Sequence, residues 1–200
     1  IGVASVKEIE NRALIALQGP ASEAVLGKYH PQIKNMKFMD VETLPIDGSE
    51  CWISRSGYTG EDGFEISIPA EAAEPITRSI LSNQNVEFIG LGARDSLRLE
   101  AGLCLYGHDI DQATTPVEAS LTWAIQKARR SNGSRASGFI GSEIILKQLA
   151  GGTNKKRVGF LPQTRAPMRE GVEIFGTETS KDAIGKITSG GYGPTVGYPI

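Results

Sequence analysis

Between Val6 and Ala16 the chain passes from mixed polar residues into the apolar run Ala13–Leu17, which suits a buried strand. Gln18-Gly19-Pro20 breaks that run. Pro20 can open a helix at its first position, with Glu23 in the first turn, where the helix dipole favours an anion. Ala24, Val25 and Leu26 would give that helix an apolar side. Met36–Pro45 and Glu50–Arg55 read as strands joined by a turn at Asp47-Gly48, a strong hairpin signal. Phe64, Ile66 and Ile68 then alternate with Glu65 and Ser67. This period of two predicts a strand on which Glu65 faces away from the three apolar side chains.

Pro69–Leu81 reads as a helix with Ile76 and Ile80 four apart, provided its regular part begins near Pro75. Val86–Ile89 is a short strand candidate. Leu91–Ala101 predicts a helix that places Leu97 and Ala101 on one stripe and Arg94 and Arg98 on another, and Gly102 ends it. Strands and helices thus alternate from Met36 to Ala101, in the manner of an α+β layered domain. Thr115-Pro116 can open a further helix towards Lys127. Ser131–Ser137 is a polar loop, and Gly151–Lys156 reads as a linker. Beyond it the texture changes. Arg157–Leu161, Val172–Phe175 and Ala183–Ile187 are short strand candidates between Pro- and Gly-containing turns, as at the start of a small β-barrel. The division expected from this pattern is 1–150 for the α+β region and 151–200 for the first barrel strands.

Composition narrows the function. A length of 200 residues with 40% hydrophobic and 22% charged residues supports a folded core. A net charge of −2 argues against general binding to nucleic acid, which needs excess Lys and Arg. No apolar run approaches the roughly 18 residues of a membrane span. Cys51 and Cys104 lie far apart and form no CxxC pair, so they read as plain thiols in a reducing compartment. The sequence does not start with Met and ends without an obvious stop, so both ends are expected to be cuts.

Two segments concentrate chemistry. Ser56–Ile66 (SGYTGEDGFEI) packs three glycines, Tyr58 and Glu65 into a short stretch, which allows close backbone approach to a ligand. It reads equally well as a hairpin with a solvated glutamate. Gly92–Gly102 carries Arg94 and Arg98 one turn apart, which repel unless each is paired. Asp95 and Glu100 can supply structural partners. Arg94 in the first turn of a helix beside a glycine also suits an anion or carbonyl site. His30 and His108 are widely separated and assemble no nucleophile–base set. His108-Asp109-Ile110-Asp111 falls short of a coordination shell, so no metal is expected. The glycines of Ser189–Gly193 lack the Lys-Ser/Thr of a phosphate loop.

Several runs together resemble one family. Leu17–Pro20, Gly57–Ile66, Ala93–Gly107, Thr115–Ala119, Ala166–Arg169 and Ile184–Gly190 are similar to the aminomethyltransferases, or T-proteins, of the glycine cleavage system, in the family's order and over nearly the whole chain. The resemblance implies a three-domain fold around a central folate channel, with layered α/β folate-binding domains and a C-terminal β-barrel, here truncated. It implies transfer of the aminomethyl group from the lipoyl arm of the H-protein to tetrahydrofolate, with release of ammonia and formation of methylenetetrahydrofolate. Glu65 and Arg94 stand where the family contacts folate. Tyr58 can pack on the flat ring system, and Trp123 is a weaker candidate for the same channel, with core packing its more ordinary role. The family's catalytic Asp belongs to a segment that this sequence does not include, and further folate contacts lie past residue 200. The resemblance therefore implies no catalytic residue here, and a piece that folds at least in part without catalysing.

Two other families share part of this pattern. A folate-binding domain of a dimethylglycine or sarcosine dehydrogenase-like enzyme has a similar Gly-Tyr/Glu segment. A folate-binding protein of iron–sulfur cluster assembly carries a cysteine where this chain has Gly57–Glu61. The compartment implied is a bacterial cytoplasm or a mitochondrial matrix.

Overall fold

The computed structural model describes residues 4–200, which divide into two compact units, Ile1–Ala101 and Gly102–Ile200. The first is built on an antiparallel sheet of four strands, β1 (Arg12–Gln18), β2 (Val41–Ile46), β3 (Ser49–Ser54) and β4 (Gly63–Pro69), in the order β1-β4-β3-β2. The turn between β2 and β3 is the expected one. Asp47 and Gly48 both have positive φ, 48° and 82°, so Ile46 pairs with Ser49 across a two-residue loop.

Register decides which residues meet. Ala13, Ile15 and Leu17 lie opposite Ile68, Ile66 and Phe64, and Ile53 lies opposite Ile66. These positions share the core face, where Phe64, Ile66 and Ile68 have no exposed surface. Leu14, Ala16, Trp52, Ser54, Glu65 and Ser67 alternate onto the other face, as the period of two predicts. The core is completed by Val25 and Leu26 of α1 (Ser22–Leu26), by Ile33, and by Ile76 and Ile80 of α2 (Ala73–Leu81). α1 begins two residues after Pro20 rather than on it, with Glu23 in its first turn as expected. A short 3-10 turn over Ala70–Ala72 precedes α2, so Pro75 falls near the start of the regular helix, where its missing N–H is tolerated.

Two readings of this unit are corrected. Met36–Asp40 is a turn rather than the start of β2, fixed by the Lys37 N–H to the Asp40 carboxylate at 2.6 Å. Val86–Ile89 forms no strand. Its Phe88 and Ile89 are 76% and 62% exposed, and among the described residues no strand pairs with them. α3 (Leu91–Glu100) forms as predicted, but its deeply buried residue is Arg98, at 3% exposure, whereas Leu91 is 82% exposed.

The second unit is sparser. α4 (Ser142–Gly151), which the sequence reading passed over, buries Ile145. Two ladders follow, β5 (Glu173–Phe175) with β6 (Ala183–Lys186), and β7 (Tyr192–Gly193) with β8 (Tyr198–Pro199). They lie within Val172–Phe175, Ala183–Ile187 and the residues after them. Thr115-Pro116 opens only turns and short 3-10 segments at Thr122–Ala124 and Lys127–Arg129, not a helix. Thr115 and Glu118 do make the reciprocal bonds of a capping box, at 2.9 and 3.2 Å, but Ser120 takes a left-handed φ of 60° and the Leu121 N–H returns to the Pro116 carbonyl at 2.8 Å, which closes the chain off after a single turn. Arg157–Leu161 is not a strand either. The Arg157 guanidinium donates to the carbonyls of Gly102 and Ala119, and its backbone N–H to that of Glu118, which tethers the segment across the unit. Gly190 is required sterically, because a Cβ there would stand 1.8 Å from the Met168 carbonyl oxygen. Among the described residues no helix is long and apolar enough to cross a membrane.

The first unit's sheet gives a direct test. Phe64→Ala is expected to destabilise by about 3–5 kcal/mol through its cavity. Leu14→Ala, on the opposite face and 68% exposed, is expected to change stability by less than about 0.5 kcal/mol. Urea unfolding of the two variants measures both.

Candidate ligand-binding site

The site is built around the loop from Ser56 to Gly63, between β3 and β4. Its shape is set from β1. The Gln18 side-chain amide enters the loop, donating from Nε2 to the Ser56 carbonyl at 3.0 Å and accepting at Oε1 from the Thr59 hydroxyl at 2.9 Å. Thr59 is buried, at 6% exposure, so this bond is shielded from water. Gly57 and Gly63 make room for the amide. A Cβ at Gly57 would lie 1.8 Å from Gln18 Oε1, and one at Gly63 would lie 2.4 Å from Nε2. Gly60 has φ +78°, and a Cβ there would lie 2.5 Å from the Ala101 Cβ, so the loop tip closes against the end of α3.

Arg55 supplies the second anchor. Its guanidinium contacts Asp62 through Nε at 3.0 Å and Nη2 at 2.6 Å, reaches Glu23 of α1 at 2.7 Å, and donates to the Met36 carbonyl at 2.9 Å. The charge sits over the Phe64 ring, 5.3 Å from its centroid. The Arg55 hydrogen bond holds the Asp62 carboxyl below its ordinary pKa, and the Asp62 bond in turn raises that of Arg55. The structural roles of Gln18 and Arg55 had no local signal in the sequence, because their partners are 38 and 41 residues away for Gln18 and up to 32 for Arg55.

On this support the candidate residues fall as follows. Tyr58 projects from the loop, and the Arg94 guanidinium lies 4.9 Å from its ring centroid. The structure therefore brings together two of the four residues singled out from the sequence. Glu65 lies on the face of β4 away from the core and accepts the Ser56 hydroxyl proton at Oε2, 2.6 Å away. A carboxylate has further acceptor capacity, on Oε1 above all, to offer a ligand. Arg98, one turn after Arg94, is instead bound to Asp95 at 2.8 Å. The like-charge conflict between the two arginines is thus relieved by different partners, a carboxylate for one and an aromatic ring for the other. Trp123 belongs to the second unit and is 76% exposed, which corrects the core-packing reading.

The remaining polar groups have structural partners. His108 Nδ1 bonds Glu170 at 2.8 Å. Asp109 accepts from the Leu105 N–H and from the Thr188 and Ser189 hydroxyls. The Thr114 hydroxyl and the Ala113 N–H lower the pKa of Asp111. Among the described residues no group of three or more His, Cys, Asp or Glu is placed to hold a metal. Cys51 is buried in the core, and burial pushes its thiol pKa up, away from reactivity.

Two tests probe the supports. Gly57→Ala and Gln18→Ala should each destabilise by about 1–3 kcal/mol. Their effects should not add, because each removes the same set of bonds. Asp62 has a folded pKa below its unfolded value of about 3.9. Its stabilisation is complete above about pH 4 and is lost as pH falls through the depressed folded value. The loss from Arg55→Gln in thermal unfolding should therefore be larger at pH 7 than at pH 3.

Comparison with known proteins gives the family. The model of the GCVT N-terminal domain matches residues 3–129, and that of the glycine cleavage T-protein C-terminal barrel domain matches residues 155–200. The chain is 47% identical over 199 residues to a probable mitochondrial aminomethyltransferase of Schizosaccharomyces pombe, covering 98% of this chain and 49% of that protein. It is 50% identical over 188 residues to the mitochondrial aminomethyltransferase of Flaveria trinervia, covering 92% of this chain and 44% of that protein. The crystal structure of the glycine cleavage system aminomethyltransferase T from Bartonella henselae superposes with a TM-score of 0.80 at 44% identity, covering 94% of this chain and 50% of that one. The chain thus spans about half the length of the curated relatives it matches. These matches and the mixed α/β architecture place the chain in the glycine cleavage T-protein family.

Proposed function

We propose that this chain carries part of the folate-binding region of an aminomethyltransferase, which takes the aminomethyl unit from lipoylated H-protein, releases ammonia and forms methylenetetrahydrofolate from tetrahydrofolate. The observation that carries the reading is the Tyr58–Arg94 stack on the loop whose Ser56 holds Glu65. The edge of a reduced pterin presents paired N–H donors beside a carbonyl acceptor. The Glu65 carboxylate suits the donors, and the Arg94 fork suits a carbonyl or carboxylate of the same ligand. The Tyr58 ring offers a flat surface for the heterocycle. Trp123 is a further, weaker candidate for contact with it.

These residues bind and orient; none of them is assigned a proton-transfer step. By this reading residues 1–150 belong to the folate-binding region and residues 151–200 to the barrel domain, and these 200 residues alone do not catalyse. The partners are tetrahydrofolate and the lipoylated H-protein, with neither nucleic acid nor membrane. The relatives' names favour a mitochondrial setting.

Calorimetric titration with tetrahydrofolate tests the binding reading. The parent chain should bind. Glu65→Ala and Arg94→Ala should each weaken binding by about tenfold or more, the order expected for charge-assisted hydrogen bonds. Binding unchanged in both variants would overturn the residue assignment.

A further inference from the structure

Glu65 is supported by a short chain of hydroxyl groups. The Ser56 hydroxyl lies 2.6 Å from Glu65 Oε2 and 2.9 Å from the Ser54 hydroxyl. Only one arrangement of protons serves both bonds when the carboxylate is ionised. A serine hydroxyl has a single proton, an ionised carboxylate accepts only, and so Ser56 donates to Glu65. The Ser54 proton must then point at the Ser56 oxygen. The bonds run in one direction, Ser54 to Ser56 to Glu65, and such an alignment strengthens each member.

Backbone geometry fixes both serines. Ser54 lies opposite Glu65 in the β3–β4 register, on the sheet face that carries the carboxylate. Ser56 is held two residues further on, where the loop leaves the sheet and its carbonyl takes the Gln18 amide proton at 3.0 Å. Both hydroxyls and Glu65 are half-buried, so the relay competes less with water than an exposed one would.

We propose that Ser56, backed by Ser54, is a positioning residue for ligand binding at Glu65. By occupying Oε2 from one side, it fixes the side-chain rotamer and turns Oε1 and the remaining lone pairs towards a planar ligand edge bearing two N–H donors. The ordering cost of the glutamate is met before the ligand arrives, as preorganisation requires. The proposal rests on the reading of Glu65 as a folate contact.

The test is a double-mutant cycle on the full chain with tetrahydrofolate as the probe, read by calorimetry. Ser56→Ala should weaken binding by about 5- to 20-fold, and Ser56→Thr, which keeps the hydroxyl, should restore it. In a Glu65→Ala background Ser56→Ala should have no further effect, because nothing is left to position. An equal loss in both backgrounds, or no rescue by Thr, would show a merely structural role and overturn the proposal while leaving Glu65 as the contact. An absence of binding by the parent chain would overturn the folate reading, and the proposal with it.

Discussion

A single amide holds the candidate site together. Gln18 ends β1 and places its side chain inside the loop that follows β3, where the Ser56 carbonyl and the Thr59 hydroxyl satisfy it. The amide is the filler around which the loop is wrapped, and Gly57 and Gly63 leave space for it at either end. From this contact follow the direction of Tyr58, the position of Ser56 beside Glu65, and the approach of Gly60 to the end of α3. A polar core of this kind is effective because every strong donor and acceptor in it is paired. Half-paired, it would cost more than an apolar one.

Arg55 adds charge to the same construction. It joins the loop through Asp62, α1 through Glu23 and the turn before β2 through the Met36 carbonyl. Both carboxylates are 43% exposed at their side chains, so the ion pairs contribute less than their number implies. Geometry is the larger effect: a planar fork with several fixed directions sets three segments relative to one another. The site is thus framed by an uncharged clamp inside and a charged one outside. The candidate ligand-facing groups, Tyr58, Glu65 and Arg94, stand on segments whose backbone is already held.

The legible parts of the sequence were those with short-range causes. The period of two in Phe64–Ile68 and the Asp47-Gly48 turn depend on neighbours in the chain, and β4 and the β2–β3 hairpin formed as expected. The motif runs carried the family, and the structure added the Tyr58–Arg94 contact between two of them. Part of what failed has long-range causes. Val86–Ile89 has strand-forming residues but no partner strand, and Arg157–Leu161 is drawn into a tether to Gly102 and Ala119. Thr115-Pro116 looks like a helix start and makes its capping bonds with Glu118, yet Ser120 in the left-handed region closes it as a single turn. The Asp95 partner expected for Arg98 is present, but the pattern did not show that Arg98 would be buried. Gln18 was visible only as a member of a motif, and its role required the loop of Gly57 and Gly63, about 40 residues later, to be in place.

The proposed folate site requires that the Gln18-wrapped loop, β4 and the start of α3 form one ligand-facing surface. The most direct measurement is a map of backbone amide chemical-shift changes in the labelled chain on addition of tetrahydrofolate. The expected changes are concentrated at 54–67 and 91–101. Changes concentrated instead at the α1–α2 side of the sheet, or around 123–140 alone, would contradict it.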